Sequence, residues 1–344
     1  MRSSRRHPLL RTHERGRPAL DPRRPEGPRG AVPALRRLGL DRVRKGDLED
    51  PVATIGVFDG VHRGHRQLLY ELSVWARAMG GESVVLTFLQ HPLEVLRGEK
   101  VPPILTLENR LLEFERHGID ATVLLDFAAI RNLGPREFLE KVLLGRLGCR
   151  RLLLGFDSRI GKDRSGDAAR VREEGRALGI DVRVASPVLD KDGRKIGSSA
   201  IREAVKSGDL DRAANLLGRP MTIRGHVVHG AGRGRGLGIP TANVDTGEQI
   251  LPPDGVYLAR VFRGADTAPA VMNLGVRPTF GGAGGRVLEV HVPGWQGDFT
   301  GEALEVRPVR FLRPERKFDG PEALKAQIGA DLEALAQAVA KGEI

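Results

Sequence analysis

The chain has 344 residues, of which 40% are apolar and 29% charged, and a formal net charge of +11. That length exceeds what one hydrophobic core organises and predicts two domains. No apolar run approaches the roughly 20 residues of a membrane-spanning helix, so a membrane protein is not expected. Cys149 is the only cysteine, which excludes internal disulfides and cysteine-based zinc sites and favours the cytoplasm.

The positive charge is concentrated at the N-terminus. Residues 1–30 hold nine arginines against three acidic residues, together with five prolines, and so contribute +6 of the net charge. Too few apolar residues are present to form a core, and we expect a disordered extension without a catalytic role. A nucleic-acid-binding or regulatory protein that uses this segment is the alternative from another functional class.

Strands and helices alternate in residues 31–205. Helical periodicity follows each of the first four apolar strand-like segments. The predicted strands are 52–58, 83–88, 121–127, 150–155 and 181–186, and the predicted helices are 66–79, 106–117, one from about 135, and 167–178. This alternation predicts a doubly wound, Rossmann-like parallel sheet covered on both faces. Ligands of such sheets bind beyond the carboxyl ends of the strands.

The pattern changes after two short helical segments, 198–208 and 209–218. We place the connection between the domains at 206–220. Residues 221–344 then show apolar alternation between Gly- and Pro-rich turns, followed by one helix. The predicted strands are 222–228, 255–262, 268–275, 286–292 and 303–312, and the predicted helix is 321–340. This pattern predicts an antiparallel β-barrel with a terminal helix.

The segment GVFDGVHRGH, residues 56–65, carries the first candidate site. The chain leaves an apolar strand, turns on Gly56 and Gly60, and enters a helix near His65. A strand-to-helix turn presents backbone N–H groups and the positive helix end to a phosphate. His62 and His65 lie on one side of the opening turn, where imidazoles could stabilise charge on a pentavalent phosphorus. Two histidines at this spacing alone would carry no meaning, but the glycines and the strand-to-helix context favour a nucleoside triphosphate site.

A second group of polar residues opens a helix in the segment SSAIREAV. Ser198 or Ser199 could be an ordinary N-cap, with Arg202 a solvated residue one turn later. Alternatively, the hydroxyls and the planar guanidinium form a clamp for the β- and γ-phosphates. A phosphate-binding turn in the same domain favours the clamp.

The third candidate site follows the first predicted barrel strand. Five glycines lie between Gly230 and Gly238, before the run IPTAN. A flexible loop or an RGG-like nucleic-acid contact would explain the glycines alone. The proline-stiffened end, however, presents the Thr241 hydroxyl with the Asn243 carboxamide, and such hard oxygens suit Mg²⁺ bridging phosphates. Glu289 lies in a later alternating strand, where the pattern alone favours a solvent-facing residue.

The motifs of the first half resemble a known family. The His-x-Gly-His turn and the Ser-Ser-x-Ile-Arg segment resemble nucleotidyltransferases, and GVFDGVHRGHRQLL, TFLQHP, GFDSRIGKDRSGD and SSAIREAV together resemble the adenylylation module of bacterial bifunctional riboflavin kinase/FAD synthetases. The resemblance implies transfer of AMP from ATP to FMN with release of pyrophosphate, and a catalytic role for His62, His65 and Arg202. It implies further ATP contacts at Gly56, Phe58, Asp59, Gly60, Asp157, Ser198 and Ser199.

The second half resembles riboflavin kinases through GRGRGLGIPTAN, LPPDGVY, NLGVRPTF, LEVHV and FLRPERKF. The resemblance implies that Thr241 and Asn243 hold Mg-ATP and that Glu289 accepts the proton of the riboflavin 5′-hydroxyl. It implies ATP contacts at Gly232, Gly234 and Gly238, flavin contacts at Asn273 and Arg277, and a structural role for His291. Arg313 and Arg316 either steer phosphates or lie on the solvated surface.

One alternative within enzymes follows from departures from the family pattern. Ser158 and Ile160 stand where the family usually has aromatic residues, and Gly197 stands where it has a serine. A riboflavin kinase whose adenylylation half has lost flavin recognition would show such changes. Under the favoured hypothesis the partners are riboflavin, FMN, FAD and ATP, with neither nucleic acid nor a membrane.

Overall fold

The computed structural model describes residues 34–230, 239–276 and 286–344. The described residues belong to one compact unit. The extension expected at residues 1–30 lies outside these ranges. Within the described part of the chain, no helix combines the length and apolar character needed to cross a bilayer.

Six parallel strands form the sheet of the first half, in the order β1-β4-β3-β2-β5-β6. They are β1 (Arg36–Gly39), β2 (Val52–Ile55), β3 (Ser83–Phe88), β4 (Ala121–Leu125), β5 (Arg151–Leu154) and β6 (Asp181–Val184). The predicted doubly wound parallel sheet is confirmed. The edge strand β1 was not predicted, because its sequence RRLG shows no apolar alternation and only pairing with β4 defines it.

Helices cover both faces of this sheet. Val52 packs in one buried cluster with Leu69 and Phe114, while the next residue, Ala53, packs in another with Leu139. Successive strand residues point to opposite faces, so both faces are apolar. The helices are α1 (Arg63–Ala78), α2 (Pro92–Arg97), α3 (Leu107–Arg116), α4 (Phe127–Ile130), α5 (Pro135–Glu137), which continues as a π-helix at Phe138–Arg146, α6 (Ala168–Ala177), α7 (Ser198–Ser207) and α8 (Leu210–Leu217), with a 3₁₀ turn at Lys162–Arg164.

The second half is a closed antiparallel barrel with strand order β10-β11-β8-β7-β12-β9. Its strands are β7 (Ile223–Val228), β8 (Ala242–Asp245), β9 (Gly255–Arg263), β10 (Asp266–Val276), β11 (Arg286–His291) and β12 (Ala303–Arg313). The predicted barrel is confirmed. The short strand β8 was not predicted, since the sequence alone shows it only as the end of a glycine-rich loop.

The terminal helix α9 (Pro321–Ala340) packs against the outside of the barrel, where Leu335 and Ala338 contact Leu258. Arg313 on β12 donates from Nε to Oδ1 of Asp331 on α9 at 3.0 Å, and from Nη2 to Oδ2 at 2.7 Å. Since the Asp331 carboxylate is buried, this bidentate ion pair anchors the helix. Arg316 likewise contacts Gln327 of α9.

The barrel and the sheet domain share buried residues. The apolar cluster that fills the barrel also contains Ile104 and Ile196 of the first half, as well as Ile201 on α7. The buried Gln249 amide bridges the halves, because Nε2 donates to the carbonyls of Ile104 at 2.9 Å and Thr222 at 2.7 Å. The barrel therefore contacts the segment around Ile104, and the Ile104 amide in turn donates to Asp59 in the turn at residues 56–61.

Gly225 on β7 tests the tight packing between barrel strands. A Cβ at this position would overlap the Asp245 carbonyl of neighbouring β8. We expect Gly225→Ala to lower the free energy of unfolding by about 1–3 kcal/mol, as overpacked core positions do. Gly329→Ala on α9 is the matched control: its Cβ would meet nothing within 4 Å, so about 0.5–1 kcal/mol of stabilisation is expected. Urea unfolding compares the two, and effects of equal sign would contradict the packing argument.

Candidate active sites

The turn at residues 56–61 joins β2 to α1 in an unusual backbone conformation. Phe58 and Val61 have φ values of +54° and +38°. Positive φ is costly for residues with a Cβ, and most of all for a β-branched residue such as Val61. Gly60, at φ +82°, supplies the third left-handed position at little cost. Such a turn persists only where surrounding groups hold it.

Those surrounding groups are side chains that donate to the carbonyl oxygens of the turn. Four of its carbonyls accept such bonds from other elements of the fold. The Val57 carbonyl accepts from Arg110 at 2.7 Å and from Thr87 at 3.3 Å, and the Asp59 carbonyl accepts from Ser198 at 3.0 Å. Arg219 donates to the Gly60 carbonyl at 2.9 Å and to the Val61 carbonyl at 3.3 Å. The carbonyl oxygens of the turn are thus bound by other parts of the fold. The positive end of the α1 dipole follows directly in sequence.

His62 is the N-cap of α1, and its Nδ1 accepts from the His65 amide at 3.3 Å. The His62 and His65 rings stack with centroids 3.6 Å apart. Gly64 makes room for this arrangement, since a Cβ there would lie 3.2 Å from the His62 ring. Because Nδ1 of His62 is an acceptor, a neutral ring carries its proton on Nε2, where it can be donated to a ligand.

Both histidines are neutral at pH 7. Burial lowers the pKa of His62 to about 4; Lys195 and Arg219 also lower it, and Asp157 opposes them. Burial likewise lowers the pKa of His65 well below its ordinary value, aided by His62 and Arg110. The buried Nδ1 atom of His65 has no hydrogen-bond partner within the described part of the chain, so its environment calls for an explanation such as a catalytic role.

The side chains of Phe58 and Asp59 lie inside the protein rather than on the ligand side. Phe58 is buried and packs edge-on against Phe114 at 5.4 Å. Oδ1 of the buried Asp59 accepts from the amides of Ile104 at 2.8 Å and Leu105 at 3.2 Å. Both were expected among the ATP contacts; in the structure their side chains are buried and contact other parts of the protein.

The serine-arginine segment of α7 attaches directly to this turn. The N-cap of α7 is Gly197, without a side-chain cap bond, so the interpretation of the serines as ordinary caps is wrong. Ser198 donates to the Asp59 carbonyl instead. Arg202 pairs with the Asp59 carboxylate, and its Nε donates to the Pro102 carbonyl at 3.1 Å. The structure therefore brings together two motifs that are about 140 residues apart.

Several residues of the site were missed in the sequence. Arg110 on α3 is buried and also donates to the Phe88 carbonyl at 2.7 Å, which joins the ends of β2 and β3. Burial lowers its pKa to about 10. Lys195 forms an ion pair with Asp157 and lies 4.7 Å from the centre of the Phe156 ring. No local signal distinguishes these basic residues from solvated ones, because their partners come from distant segments.

In the barrel, three predicted site residues form one row. Glu289 on β11 is directly opposite Asn243 on β8 and Asn273 on β10. Directly paired residues of neighbouring strands project from the same face, so the carboxylate lies between two carboxamides. Nδ2 of Asn273 donates to Glu315 at 2.9 Å, while its buried Oδ1 has no hydrogen-bond partner among the described residues.

A cavity of about 150 Å³ lies beside this row, lined in part by Thr241, Asn243, Trp295 and Phe299. Nδ1 of His291 donates to the Pro240 carbonyl at 2.7 Å, which fixes the chain just before Thr241. The remaining kinase predictions, Gly232, Gly234, Gly238 and Arg277, lie outside the described residues.

Comparisons with known proteins find matches for both halves of the chain. A family model for FAD synthetase matches residues 44–200, and one for riboflavin kinase matches residues 217–339. The chain is 40% identical to the bifunctional riboflavin kinase/FMN adenylyltransferase of Pseudomonas fluorescens, over 82% of this chain and 91% of that protein. The corresponding protein of Escherichia coli K12 is 36% identical over 85% of this chain and 94% of its own length.

The chain belongs to the bifunctional riboflavin kinase/FMN adenylyltransferase family. It carries both enzyme domains in one polypeptide, and ATP is its co-substrate. The comparisons support the bifunctional enzyme over the two alternatives, a kinase-only protein and a nucleic-acid-binding protein.

A crystal structure described as a macrolide-efflux protein from Streptococcus pneumoniae has the same fold. Its TM-score is 0.76 at 30% identity, with 88% of this chain and 99% of that chain covered. The description names a different activity from the two family models and the curated relatives, which agree with one another. We therefore take only the fold from this structure.

The depressed pKa of His62 predicts a pH-dependent stability. The folded pKa of about 4 is below the unfolded value of about 6.5, so stabilisation is complete above pH 6.5 and is lost as pH falls towards 4. Between pH 7.5 and 5 we expect the free energy of unfolding to fall by about 2 kcal/mol through this residue. Urea unfolding at both pH values tests this against His62→Gln, whose pH dependence should be weaker by that amount. Identical pH dependence in the two proteins would show that the ring is not buried in its neutral form.

Proposed function

We propose that the enzyme makes FAD in two steps at two separate sites. The turn at residues 56–61, with His62 and His65, transfers AMP from ATP to FMN, and the row around Glu289 phosphorylates riboflavin. We assign residues 31–205 to the first step, 206–220 to the connection and 221–344 to the second step. The observation that carries the proposal is that the described residues of each predicted set lie together in one half of the fold: the histidines and the serine-arginine segment at the turn, and Asn243, Glu289 and Asn273 in the barrel row.

For adenylylation, the triphosphate lies at the start of α1. Nε2 of His62 donates to a phosphate oxygen, with His65 stacked behind it. Ser199 and the amides at the start of α7, which has no side-chain cap, face the β- and γ-phosphates. A phosphate oxygen of FMN attacks the α-phosphorus, a new P–O bond forms, and the bond to pyrophosphate breaks.

Neutral imidazoles suit this reaction. A donor already fixed in place stabilises the charge that develops on the pentavalent phosphorus without reorganising. The stacking of His62 on His65 and the cap bond to Nδ1 set the ring orientation before ATP arrives. Arg202 contributes positive charge next to the same turn, although Asp59 already holds its guanidinium.

For phosphorylation, the riboflavin 5′-hydroxyl lies against the Glu289 carboxylate. Its oxygen attacks the γ-phosphorus, the bond to ADP breaks, and Glu289 accepts the hydroxyl proton. Asn273, next to Glu289 in the row, binds the flavin side, and Asn243 on the other side binds the nucleotide side. Phosphoryl transfer depends mainly on such positioning.

The residues of the barrel site fit Mg²⁺. The Thr241 hydroxyl and the Asn243 carboxamide oxygen are hard ligands next to the cavity, and Mg²⁺ in kinases typically has one or two protein ligands besides phosphate oxygens. No cluster of three His, Cys, Asp or Glu side chains suited to a metal occurs among the described residues, so phosphates and water would complete this coordination. When bound, the ion neutralises charge on the transferred phosphate.

We also place the enzyme in the cytoplasm. Cys149 is a buried, free thiol, and burial raises its pKa to about 11. An unpaired cysteine of this kind suits a reducing compartment.

Single substitutions separate the two steps. We expect His65→Ala to abolish FAD formation from FMN while FMN formation from riboflavin persists. His65 lies at the start of α1, in the proposed adenylylation site and away from the barrel row. Glu289→Gln should do the reverse, since the amide cannot accept the 5′-hydroxyl proton. Chromatographic separation of the flavins after incubation with Mg-ATP measures both steps. Loss of FMN formation in folded His65→Ala would contradict the two-site proposal.

A hydroxyl deletion tests the magnesium ligands. Thr241→Val preserves the shape of the side chain but removes the oxygen, and we expect the Mg²⁺ concentration for half-maximal FMN formation to rise by about tenfold or more. Thr267→Val, at an exposed position at the far end of β10, is the matched control and should leave that concentration unchanged. Equal Mg²⁺ requirements in the two variants would remove Thr241 from the site.

A further inference from the structure

Arg219 lies in the segment between α8 and β7 and reaches back to the first half of the chain. Its Nη2 donates to the Gly60 carbonyl at 2.9 Å and its Nη1 to the Val61 carbonyl at 3.3 Å. Those two peptides lead directly into His62. The planar guanidinium thus holds the last part of the turn before the catalytic histidine, and it holds it through two bonds in a fixed geometry.

The same guanidinium faces Glu113 on α3, with Nε 3.8 Å from its carboxylate. Glu113 is only 5% exposed and also pairs with Arg224 of β7 at 3.5 Å and with Arg116 at 2.9 Å. Burial acts to raise the pKa of Glu113, but Arg219, Arg224 and Arg116 outweigh it and hold the pKa below its ordinary value. The charged form is therefore the stable one, and it keeps Arg219 in place.

This network continues into the barrel. Arg224 donates from Nε to Glu305 of β12 at 2.7 Å. An unbroken series of contacts therefore joins the barrel wall to the turn through Arg224, Glu113 and Arg219. The strained φ angle of Val61 makes its carbonyl a point where a lost bond would let the backbone relax.

We propose that Arg219 is a positioning residue for adenylyl transfer, which aligns the turn and the His62 ring with the triphosphate and couples that alignment to the barrel domain. The inference rests on the proposed adenylylation at this turn. It predicts that a residue outside the FAD synthetase match, which ends at residue 200, controls the efficiency of that step.

The electrostatic surroundings of His62 offer a second test. The groups that act on its ring are Asp157 after β5, Lys195 before α7, and Arg219 after α8, together with the stacked His65 of α1. Arg219 lowers the pKa of His62, so its neutralisation raises that pKa. The acidic limb of the pH profile for adenylylation then moves to higher pH.

The experiment compares Arg219→Met, Arg219→Lys and the control Arg116→Met. Arg116 contacts the same Glu113 but is 56% exposed, and its ion pairs are with Glu113 and Glu305, not with the turn. We measure kcat and KM for ATP in FAD formation, with FMN formation from riboflavin as the internal control. We expect Arg219→Met to lower kcat/KM for ATP by about 100-fold, as for a misplaced reacting group, and to leave FMN formation within about twofold of the wild-type rate. Arg219→Lys should recover about tenfold, since an ammonium can bond one carbonyl but lacks the fork.

The outcomes separate the inference from the proposed function. Wild-type kcat/KM in Arg219→Met, or equal losses in Arg219→Met and Arg116→Met, would overturn the positioning role. A proportional loss of both activities with a lower melting temperature would assign Arg219 to stability alone and would also overturn it. If Arg219→Met does not fold, full adenylylation activity in Arg219→Lys would overturn it instead. Absence of FAD formation by the wild-type enzyme would contradict the proposed function itself.

Discussion

The proposed adenylylation site depends on a turn whose carbonyl oxygens are hydrogen-bonded by side chains from other elements of the fold. Phe58 and Val61 in this turn adopt a backbone conformation with positive φ, which is costly without such contacts. Side chains of α3, of α7 and of the segment after α8 bind its carbonyl oxygens. Since these bonds come from different elements, the conformation of the turn depends on the packing of the sheet, the helices and the connection. Its geometry is therefore a property of the whole fold and not of the local sequence.

The same packing determines the chemistry of the histidines. Burial disfavours the charged form of both rings, and Asp157 is too weak to offset this effect at His62, so the proposed triphosphate site offers neutral donors. Positive charge comes instead from arginines that are already paired, such as Arg202 with Asp59. The cap bond uses Nδ1 of His62, so the Nε2 proton stays available for a ligand.

The sequence predicted elements and motifs well where the signal is local. Apolar alternation located ten of the twelve strands, and the glycine-histidine pattern located the turn. It failed where the signal is tertiary: β1 and β8 are defined by their pairing partners, and Arg110 and Arg219 look like solvated residues until distant carbonyls are placed next to them. Phe58 and Asp59 show the converse, because family motifs mark them without distinguishing a ligand contact from a support beneath it.

The barrel site is built on a simpler principle. Strand register alone brings Asn243, Glu289 and Asn273 into one row, since paired residues on adjacent strands share a face. If β11 slipped by one residue against its neighbours, Glu289 would face the barrel core and its neighbours Leu288 and Val290, which are buried, would face outward. The apolar residues that fill the barrel thus fix the position of this row. The turn has no such internal reference, and so it relies on contacts from the rest of the chain, including the barrel that the kinase step also uses.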